Sequence, residues 1–275
     1  MVEPLTNSPP DPYIHGHHES VLRAHNWRTV ANSASYLLPH LNSGQRLLDV
    51  GCGPGTITIE LAERVAPGEV VGTDAANAVI SLARTLLEQP GTPLNCRFER
   101  GDVYALDHPD DSFEIVHAHQ VLQHLTDPVR ALREMRRVLA PDGVLAVRDV
   151  DYGTMTWAPA HPEIDRWLEL YHAIAQHHRT EPDAGRQLLG WVRAAGFSSI
   201  EPGSSTWTFA TPGTRRWWGG LWAERVLQSD FATHALELGL ADENELHDIS
   251  AAWQAWMDQP DGWFMCAHGE VIARP

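Results

Sequence analysis

The sequence predicts an α/β fold in which a mostly parallel sheet carries helices on both faces. The strongest observation is the stretch 47–56, where an apolar run ends in three glycines and is followed by the amphipathic run 57–65. That order is typical of a strand, a tight turn and a helix. The second observation is that strand-like runs and helical patterns alternate up to residue 150, as in parallel sheets. The further strand-like runs lie at 69–74, 95–100, 112–119 and 144–149.

The glycine turn predicts a binding site for a nucleotide-like cofactor. Gly51, Gly53 and Gly55 alternate with other residues, and only residues without a Cβ accept such turns and let a ligand lie on the backbone. The N–H groups at the start of the following helix favour a negatively charged ligand group. The dinucleotide fingerprint G-x-G-x-x-G needs a glycine where Thr56 stands, and this departure counts against NAD. An ordinary glycine turn of another α/β protein is the alternative.

Together with Asp49, the three glycines form the pattern acidic-x-G-x-G-x-G after the first predicted strand. This pattern resembles the first motif of the class I S-adenosylmethionine-dependent methyltransferases. The resemblance covers residues 44–150 well and the last strand more loosely, and within the family it points to the methyltransferases of ubiquinone and menaquinone biosynthesis and their natural-product relatives. It implies a Rossmann-like, seven-stranded sheet, S-adenosylmethionine as methyl donor and S-adenosylhomocysteine as product.

The resemblance also implies which side chains hold the cofactor. Asp74 ends the second predicted strand, 25 residues after Asp49, where the family has an acid that accepts hydrogen bonds from both ribose hydroxyls, with Ala75 beside it. Asp102 and Val103 follow the third strand, where similar methyltransferases recognise the adenine ring. The alternative for Asp74 is a cap for the next predicted helix.

The N-terminal region is predicted to form a lead-in followed by a helical lid. Residues 1–19 are rich in proline, asparagine and aspartate, and 20–41 has apolar residues at helical spacing, which predicts a helix or a helix pair. The polar side of this segment carries His25, Trp27 and Arg28. In similar methyltransferases N-terminal helices cover the cofactor, so Arg28 is expected to pair with its methionine carboxylate, and His25 and Trp27 to line the substrate pocket. The alternative is a surface face with one buried tryptophan.

Polar side chains follow the fourth predicted strand, 112–119, at the end of the sheet where ligands bind in open parallel sheets. His119 and Gln120 are expected near the methyl donor, and His119 or His124 is a candidate for removing a proton from the acceptor. The alternative for His119 is a hydrogen-bonded core histidine. In related sequences a glutamate precedes the second histidine and helps to bind a metal; Gln123 stands there in this chain, and no metal is expected.

The chain beyond residue 150 is predicted to complete the sheet and to add a helical cap. Residues 151–157 are expected to form a loop at the substrate end of the sheet, and the last strand is expected at 262–273. Helices are predicted at 162–178 and 183–195, a sixth strand at 199–201 and 205–210, and the cap at about 213–258. The three predicted parts are 1–43 with the lead-in and lid, 44–150 with the cofactor-binding core, and 151–275 with the rest of the sheet and the cap.

The cap is rich in tryptophan, and its rings have two interpretations. Trp217, Trp253 and Trp256 lie at helical spacing and are expected to pack helices together. Tyr152, Trp157 and Trp218 are candidates for lining an apolar or aromatic substrate pocket, because aromatic faces also tolerate a nearby sulfonium cation.

Composition restricts the partners. The chain of 275 residues has 36 acidic and 20 basic side chains and a net charge of -16, which repels phosphate backbones and anionic lipid surfaces. We therefore expect a small-molecule substrate, with no nucleic-acid or membrane partner, and the sequence leaves a homodimer open. Three widely separated cysteines without a C-x-x-C pair, and the lack of an apolar run long enough to span a membrane, favour a cytoplasmic protein.

We therefore expect methyl transfer to a small, apolar or aromatic metabolite, natural-product or quinone-like, by in-line displacement at the methyl carbon. Two other classes stay open. The fold can bind the cofactor for another reaction, such as a cyclisation in which the sulfonium acts electrostatically, or it can be a non-catalytic binding module. Production of S-adenosylhomocysteine separates methylation from both. A nicotinamide dehydrogenase, disfavoured by Thr56, is the third alternative.

Overall fold

The computed structural model describes residue 25 and residues 27–275. The α-helices, in chain order, are α1 (Val30–Ser33), α2 (Thr56–Val65), α3 (Asn77–Leu87), α4 (Pro128–Val138), α5 (Pro162–His178), α6 (Ala184–Ala194), α7 (Pro212–Gln228), α8 (Asp230–Glu237) and α9 (Glu243–Met257). Short 3-10 helices lie at Ser35–His40 and Leu122–His124. The strands are β1 (Leu47–Val50), β2 (Val70–Asp74), β3 (Cys96–Arg100), β4 (Phe113–His119), β5 (Leu139–Ala158), β6 (Ser199–Phe209) and β7 (Trp263–Arg274).

These strands form one seven-stranded sheet in the order β3-β2-β1-β4-β5-β7-β6. Neighbouring strands from β3 to β5 are parallel, whereas β7 is antiparallel to both β5 and β6. The predicted mostly parallel sheet with helices on both faces is confirmed. Because the strand order reverses between β1 and β4, the loops after these two strands leave the sheet in opposite directions and frame a crevice at its carboxyl edge.

Apolar layers on both faces explain the central strands. Every residue of β1 is buried, as expected for a strand that is covered on both sides. On one face Leu47 belongs to a cluster with Val30 and with Leu61 of α2. On the other face Leu48 belongs to a cluster with residues of α4 and α6. A slip of one residue would exchange the two faces, so this packing fixes the register of β1.

A third apolar cluster lies beyond the carboxyl edge of the parallel strands and consists largely of aromatic rings. It joins α5, α7, α8 and α9, which we call the aromatic cap, to the far ends of β5, β6 and β7. Trp167, Trp253 and Trp256 are each at most 1% exposed. The ring of Trp253 lies 5.1 Å from that of Trp167 and 5.6 Å from that of Trp256. The prediction that Trp253 and Trp256 pack helices together is confirmed.

The predicted elements after residue 150 are found with one correction. The helices expected at 162–178 and 183–195 are α5 and α6, and the cap contains α7, α8 and α9. Residues 151–157, however, do not form a loop, because β5 continues to Ala158 alongside β7, with Thr156 opposite Met265 after an irregularity in the ladder. The hydrogen bonds of this extension come from β7, and no pattern within residues 151–157 predicts them. In the described part of the chain, no helix has the length and apolar character needed to cross a membrane.

The expectation of a helix or helix pair over 20–41 is tested only in its second part. Residues 1–24 and 26 lie outside the described residues, His25 is helical, and residues 27–41 contain α1 and one 3-10 helix. A capping box between Thr29 and Asn32 starts α1 at Val30. Pro39 lies inside the 3-10 helix and lacks the N–H that a longer helix would need. We call this part of the chain the N-terminal strap (His25 and residues 27–40).

Candidate functional site

The glycine turn after β1 has the backbone conformation that the sequence implied. Gly51, Gly53 and Gly55 have φ angles of +67°, +55° and +88°, a region that residues with a Cβ rarely enter. A Cβ on Gly51 would lie 2.3 Å from Val121 Cγ2, and one on Gly55 would lie 2.4 Å from Phe98 Cζ. Gly55 is the N-cap of α2 and provides no side chain to the first N–H groups of that helix. Those N–H groups point into the crevice between β1 and β4, where an anionic or strongly polar ligand group is favoured.

Asp49 supports this turn from within. Its carboxylate is 3% exposed and accepts hydrogen bonds from Thr58 Oγ1 at 2.5 Å and from His117 Nδ1 at 2.7 Å. Both oxygens are therefore engaged inside the protein, one to α2 and one to β4. The sequence predicts a contact between Asp49 and the cofactor. In the structure this side chain holds the turn in place from inside the protein, so its effect on a ligand would be indirect.

Asp74 lies at the lip of the crevice. Its Oδ2 accepts a hydrogen bond from Gly53 N at 3.2 Å, and its Oδ1 accepts one from Ala76 N at 3.0 Å. The carboxylate therefore contacts the glycine turn and the backbone N–H of Ala76, the residue before α3, but it is not the N-cap of that helix, which is Ala76, a residue without a capping side chain. Its contact with a ribose stays a prediction. Ala75 beside it is exposed.

The adenine candidates follow β3 at the same edge. Asp102 is exposed, and its Oδ1 accepts a hydrogen bond from the backbone N–H of Tyr104 at 2.9 Å, which shapes the turn after the strand. Val103 is half-buried against the apolar layer that α4 covers. Because β3, β2 and β1 are adjacent and parallel, Asp102, Asp74 and the glycine turn form one row along the carboxyl edge.

The N-terminal strap lies over this row. The carbonyl oxygen of His25 accepts from Thr56 Oγ1 at 3.4 Å, and His25 Nδ1 lies 3.6 Å from the position of a Cβ placed on Gly53. Arg28 Nη2 donates to Gln120 Oε1 at 2.5 Å. The strap thus connects the glycine turn to the end of β4, as a lid over the cofactor would.

Trp27 connects the same strap to the cap. Its ring lies 5.1 Å from Trp207 on β6 and 5.0 Å from Trp217 on α7. Trp207 in turn donates through Nε1 to the carbonyl oxygen of Asn32 at 2.7 Å. Trp27 is therefore placed between the crevice and the cap, where a substrate-lining residue is expected, although Asn26 beside it is outside the described residues.

Next to the strap lies a group of buried polar side chains that we call the polar network. Its members are His119 on β4, Arg148 on β5, Ser205 on β6, and His268 and Glu270 on β7. Arg148 is 1% exposed and donates through Nε to Glu270 Oε1 at 3.1 Å. Ser205 Oγ donates to the same carboxylate oxygen at 2.5 Å. A buried ion pair needs such additional hydrogen bonds to offset the loss of hydration of two charges.

Gln120 links the network to the strap. It follows β4 directly and has a left-handed φ of 55°, an uncommon conformation for a residue other than glycine. Its backbone N–H donates to the carbonyl oxygen of Arg148 at 2.7 Å, and its Nε2 lies 3.0 Å from His268 Nε2. The predicted positions of His119 and Gln120 at the carboxyl edge therefore agree with the structure.

Electrostatics act on the two candidate bases in the same direction. Burial, followed by the positive charges of Arg148 and Arg28, lowers the pKa of His119 well below its usual value. Burial and then Arg28 lower the pKa of His124 to about 3. A histidine with a lowered pKa is a weak base at neutral pH. Proton removal by either residue stays a prediction.

The aromatic pocket candidates lie in two different places. Tyr152 is 5% exposed and stacks on Tyr171, with 3.9 Å between ring centroids. Trp218 is 6% exposed and stacks on Phe209 at 4.4 Å. Both rings belong to the cap interior, because α7 turns Trp218 inward and β5 extends past the edge and buries Tyr152. Their contact with a substrate stays a prediction.

Trp157 lies outside the cap interior, at the surface beside α5. It borders an open concavity of about 530 Å³ whose other walls come from α5, among them Leu168 and His172. None of the residues that line this concavity belongs to the glycine turn, the strap or the polar network. The structure therefore does not bring Trp157 together with the other site residues.

Sequence reasoning overlooked Arg148, Ser205, His268 and Glu270. A charged residue within the apolar run 144–150 was a usable signal for Arg148, because buried charges are rare without a partner. Its partner Glu270 is 122 residues away, and no local pattern connects them. Among the described residues, no group of three or more His, Cys, Asp or Glu side chains is arranged to hold a metal.

Comparison with known proteins adds the family. The family model described as a methyltransferase domain matches residues 41–202. An uncharacterised methyltransferase of Schizosaccharomyces pombe is 35% identical over 268 residues, which cover 94% of this chain and 95% of that protein. The ubiquinone/menaquinone biosynthesis C-methyltransferase UbiE of Vibrio parahaemolyticus is 30% identical over 174 residues, 58% of this chain and 66% of that protein.

A solved structure shares the fold at lower identity. The [4+2]-cyclase SpnF aligns with a TM-score of 0.52 and 22% identity, over 94% of this chain and 86% of that one. The matched domain covers more than half of the chain, including the glycine turn, the Asp74 lip and β4. The chain belongs to the class I S-adenosylmethionine-dependent methyltransferases.

Proposed function

We propose that this chain transfers the methyl group of S-adenosylmethionine to a small, apolar or aromatic metabolite. The observation that carries the proposal is the glycine turn, whose three positive φ angles and Asp74 lip form a cradle directly beneath the N-terminal strap. Side chains on Gly51 or Gly55 would collide with Val121 or Phe98, so the turn is built to keep its backbone close to whatever lies above it.

The residues of the crevice fit the cofactor in chain order. The N–H groups of the turn and the start of α2, with Thr56, would hold the methionine end, and Arg28 would pair with its carboxylate from above. Asp74 would accept from the ribose hydroxyls, with Ala75 beside it, and Asp102 and Val103 would meet the adenine ring. When bound, the cofactor supplies an activated methyl group on a positive sulfur.

Positioning and exclusion of water are the main contributions of the protein to such a transfer. The acceptor atom must approach the methyl carbon in line with the bond to sulfur, and holding two reactants in this geometry removes most of the entropic part of the barrier. The strap, with Trp27 packed against Trp207 and Trp217, would close the crevice over both reactants. His25 is the remaining pocket candidate on the strap.

The class of acceptor is supported by chemistry and by similarity. The cap is built from apolar and aromatic side chains, and one relative is named for ubiquinone/menaquinone biosynthesis. The net charge of -16 disfavours a nucleic-acid substrate or an anionic membrane surface. The cytoplasmic location and the homodimer considered from the sequence remain predictions.

A second candidate is a reaction other than methylation. The likeness to a protein named as a [4+2]-cyclase, over nearly the whole of this chain, favours a rearrangement or cyclisation in which the bound sulfonium acts only through its charge. A non-catalytic binding module would keep the cradle without turnover. Of the three possibilities, only methyl transfer forms S-adenosylhomocysteine.

The experiment has two stages. The purified chain is first titrated calorimetrically with S-adenosylmethionine and S-adenosylhomocysteine, with NADH as the control; we expect micromolar binding of the first two only. It is then incubated with S-adenosylmethionine and a panel of phenols, hydroxyquinones, amines and thiols, and S-adenosylhomocysteine is quantified. Binding with product formation supports methyl transfer, binding without product supports the second candidate or the binding module, and NADH binding alone overturns the proposal.

A further inference from the structure

The end of β4 carries a histidine whose protonation is determined by a neighbouring arginine. His119 is the last residue of β4 and lies opposite Arg148 in the register of the sheet. Arg148 Nη1 lies 3.5 Å from His119 Nδ1. A guanidinium has five N–H donors and no acceptor. The Nδ1 atom therefore presents its lone pair to Arg148, and an N–H at that position would face a positive donor.

The ring is also held neutral. Arg148 approaches it from β5, Arg28 from the strap and His268 from β7, while His117 is on its own strand. Burial and these positive or neutral neighbours lower the pKa of His119, so the imidazolium is not formed at neutral pH. A neutral imidazole has one proton. With Nδ1 as the acceptor, that proton is on Nε2.

The Nε2 atom is then a donor without a partner. It is buried, and among the described residues no acceptor lies within hydrogen-bonding distance of it. The rings of Trp207 and His268 lie near that of His119, at centroid distances of 5.9 and 6.4 Å. A buried donor left without an acceptor costs about 1–3 kcal/mol, so its retention beside a ligand crevice points to an acceptor that arrives with a ligand.

A parallel arrangement occurs at His268. Arg28 donates to Gln120 Oε1, which leaves the amide NH2 of Gln120 facing His268 Nε2. That nitrogen is therefore an acceptor as well, and burial followed by Arg148 lowers the pKa of His268. Two arginines thus hold two neutral imidazoles, each with one nitrogen turned to a donor.

We propose that His119 donates a hydrogen bond through Nε2–H to an oxygen atom of the methyl acceptor, and that Arg148 is the positioning residue that fixes this tautomer. The inference rests on the proposed methyl transfer and reverses the role expected from the sequence, in which His119 removes a proton. The acceptor class that fits is one with an acidic oxygen, such as a phenol, an enol or a carboxylic acid. A carboxylic acid has already given its proton to water at neutral pH. A phenol, with a pKa of about 10, is ionised in water only to a small fraction, and it is this anion that the positive charges beside His119 would bind.

The positive surroundings favour the ionised acceptor. Arg148 and Arg28 contribute two positive charges near His119, and Glu270 contributes one negative charge. The methionine carboxylate that would pair with Arg28 adds a negative charge, which the positive sulfonium of the same cofactor would balance. An opposite charge nearby stabilises the ionised form of an acid. In the transfer, an electron pair of the ionised acceptor forms the new bond to the methyl carbon, the carbon–sulfur bond breaks, and its pair returns to the sulfur, which becomes neutral.

The tautomer is tested by nitrogen NMR on the full chain labelled with 15N-histidine and saturated with S-adenosylhomocysteine. The His119 signals are identified by their loss in His119→Gln. We expect a protonated, pyrrole-like shift at Nε2 and an unprotonated, pyridine-like shift at Nδ1, without change between pH 8 and pH 5. A proton on Nδ1, or an imidazolium signal in that range, would overturn the inference.

The positioning role is tested by two arginine variants. In Arg148→Lys a donor and a charge remain, and the Nε2–H tautomer should be retained. In Arg148→Met both are lost, and His119 should show a mixture of tautomers or begin to titrate. If Arg148→Met does not fold, the lysine variant still decides, because loss of the Nε2–H signal there contradicts the role of a donating cation.

The donor role is tested with the acceptor panel. His119→Gln keeps an N–H donor and should retain most turnover with phenols and hydroxyquinones, whereas His119→Phe should lose it by about tenfold to a hundredfold. Equal losses in the two variants, or turnover of amines and thiols as fast as of phenols, would overturn the inference. If no panel member is methylated, the proposed function fails, and the NMR tautomer still decides the inference separately.

Discussion

The cofactor end and the cap end of this molecule are specified in different ways. From β1 to β4, the structure depends on backbone conformation: the turn needs positive φ at three positions and a close approach of Val121 and Phe98, which leaves glycine as the acceptable residue. From β5 onwards, it depends on large side chains that fill a shared volume, such as Trp167 and Trp253. The comparison teaches that substitutions at the first end should act on ligand binding, and those at the second on stability.

The largest effect is expected in the cap. Trp253→Ala removes a ring that is fully buried between Trp167, Trp222 and Phe264. Truncation of a buried tryptophan leaves a cavity, and we expect the free energy of unfolding to fall by about 3–5 kcal/mol in urea denaturation. The matched control is Trp263→Ala, whose ring is 38% exposed and which should change stability by less than about 1 kcal/mol. Equal losses would break the comparison.

The next effect is expected at the turn. Gly55→Ala places a Cβ 2.4 Å from Phe98 Cζ at a φ of +88°, and we expect a loss of about 2–4 kcal/mol from strain and overpacking, together with weaker binding of S-adenosylhomocysteine. Thermal unfolding and calorimetric titration measure the two.

Gly190→Ala is the control for Gly55→Ala. Gly190 is an exposed position within α6, and a Cβ there meets nothing within 4 Å. Alanine should therefore stabilise the chain by about 0.5–1 kcal/mol, because glycine loses more backbone freedom in a helix. Wild-type stability and binding in Gly55→Ala would mean that the turn tolerates side chains, contrary to the account.

These two ends also differ in how far the sequence predicted them. Gly51, Gly53, Gly55 and Asp74 were identified because their function depends on a short stretch of backbone, and the strands and helices up to residue 150 followed from local patterns. The extension of β5 to Ala158 was missed because its hydrogen bonds come from β7, more than 100 residues later.

Side-chain surroundings were harder to predict than positions. His119 was placed correctly at the carboxyl edge, but its chemistry depends on Arg148, which comes from another strand. Tyr152 and Trp218 were assigned to a pocket because aromatic rings suit either a core or a ligand, and only the tertiary structure shows which faces are already stacked. Composition and spacing do not carry that information.

A smaller effect is expected where the two ends meet. Asp149 follows Arg148 on β5 and is fully buried, and its Oδ2 has no hydrogen-bond partner within residues 27–275. Burial raises the pKa of Asp149 to about 7, against the opposing hydrogen bonds from the backbone of Gln123 and Leu122. An unfolded aspartate has a pKa of about 4. The stability that this group contributes is therefore present below about pH 4 and is lost as the pH rises through 7.

Asp149→Asn removes this dependence. The variant should be more stable than the wild type at pH 8, and the difference should shrink towards zero near pH 4. Urea denaturation at several pH values measures it, with Asp107→Asn, an exposed position, as the control. A stability difference that is the same at all pH values would mean that Asp149 is ionised throughout.

The most direct test of the account concerns Asp74, because the cofactor end is assigned by its position at the lip of the glycine turn. The measurement is the calorimetric affinity of the full chain for S-adenosylhomocysteine, compared between wild type, Asp74→Ala and the exposed control Asp107→Ala. We predict that Asp74→Ala weakens binding by about 1–3 kcal/mol, because ribose hydroxyls would lose their acceptor, while the control binds as the wild type does. Undiminished affinity in Asp74→Ala would contradict the assignment of the ribose to this carboxylate and, with it, the placement of the cofactor along this edge of the sheet.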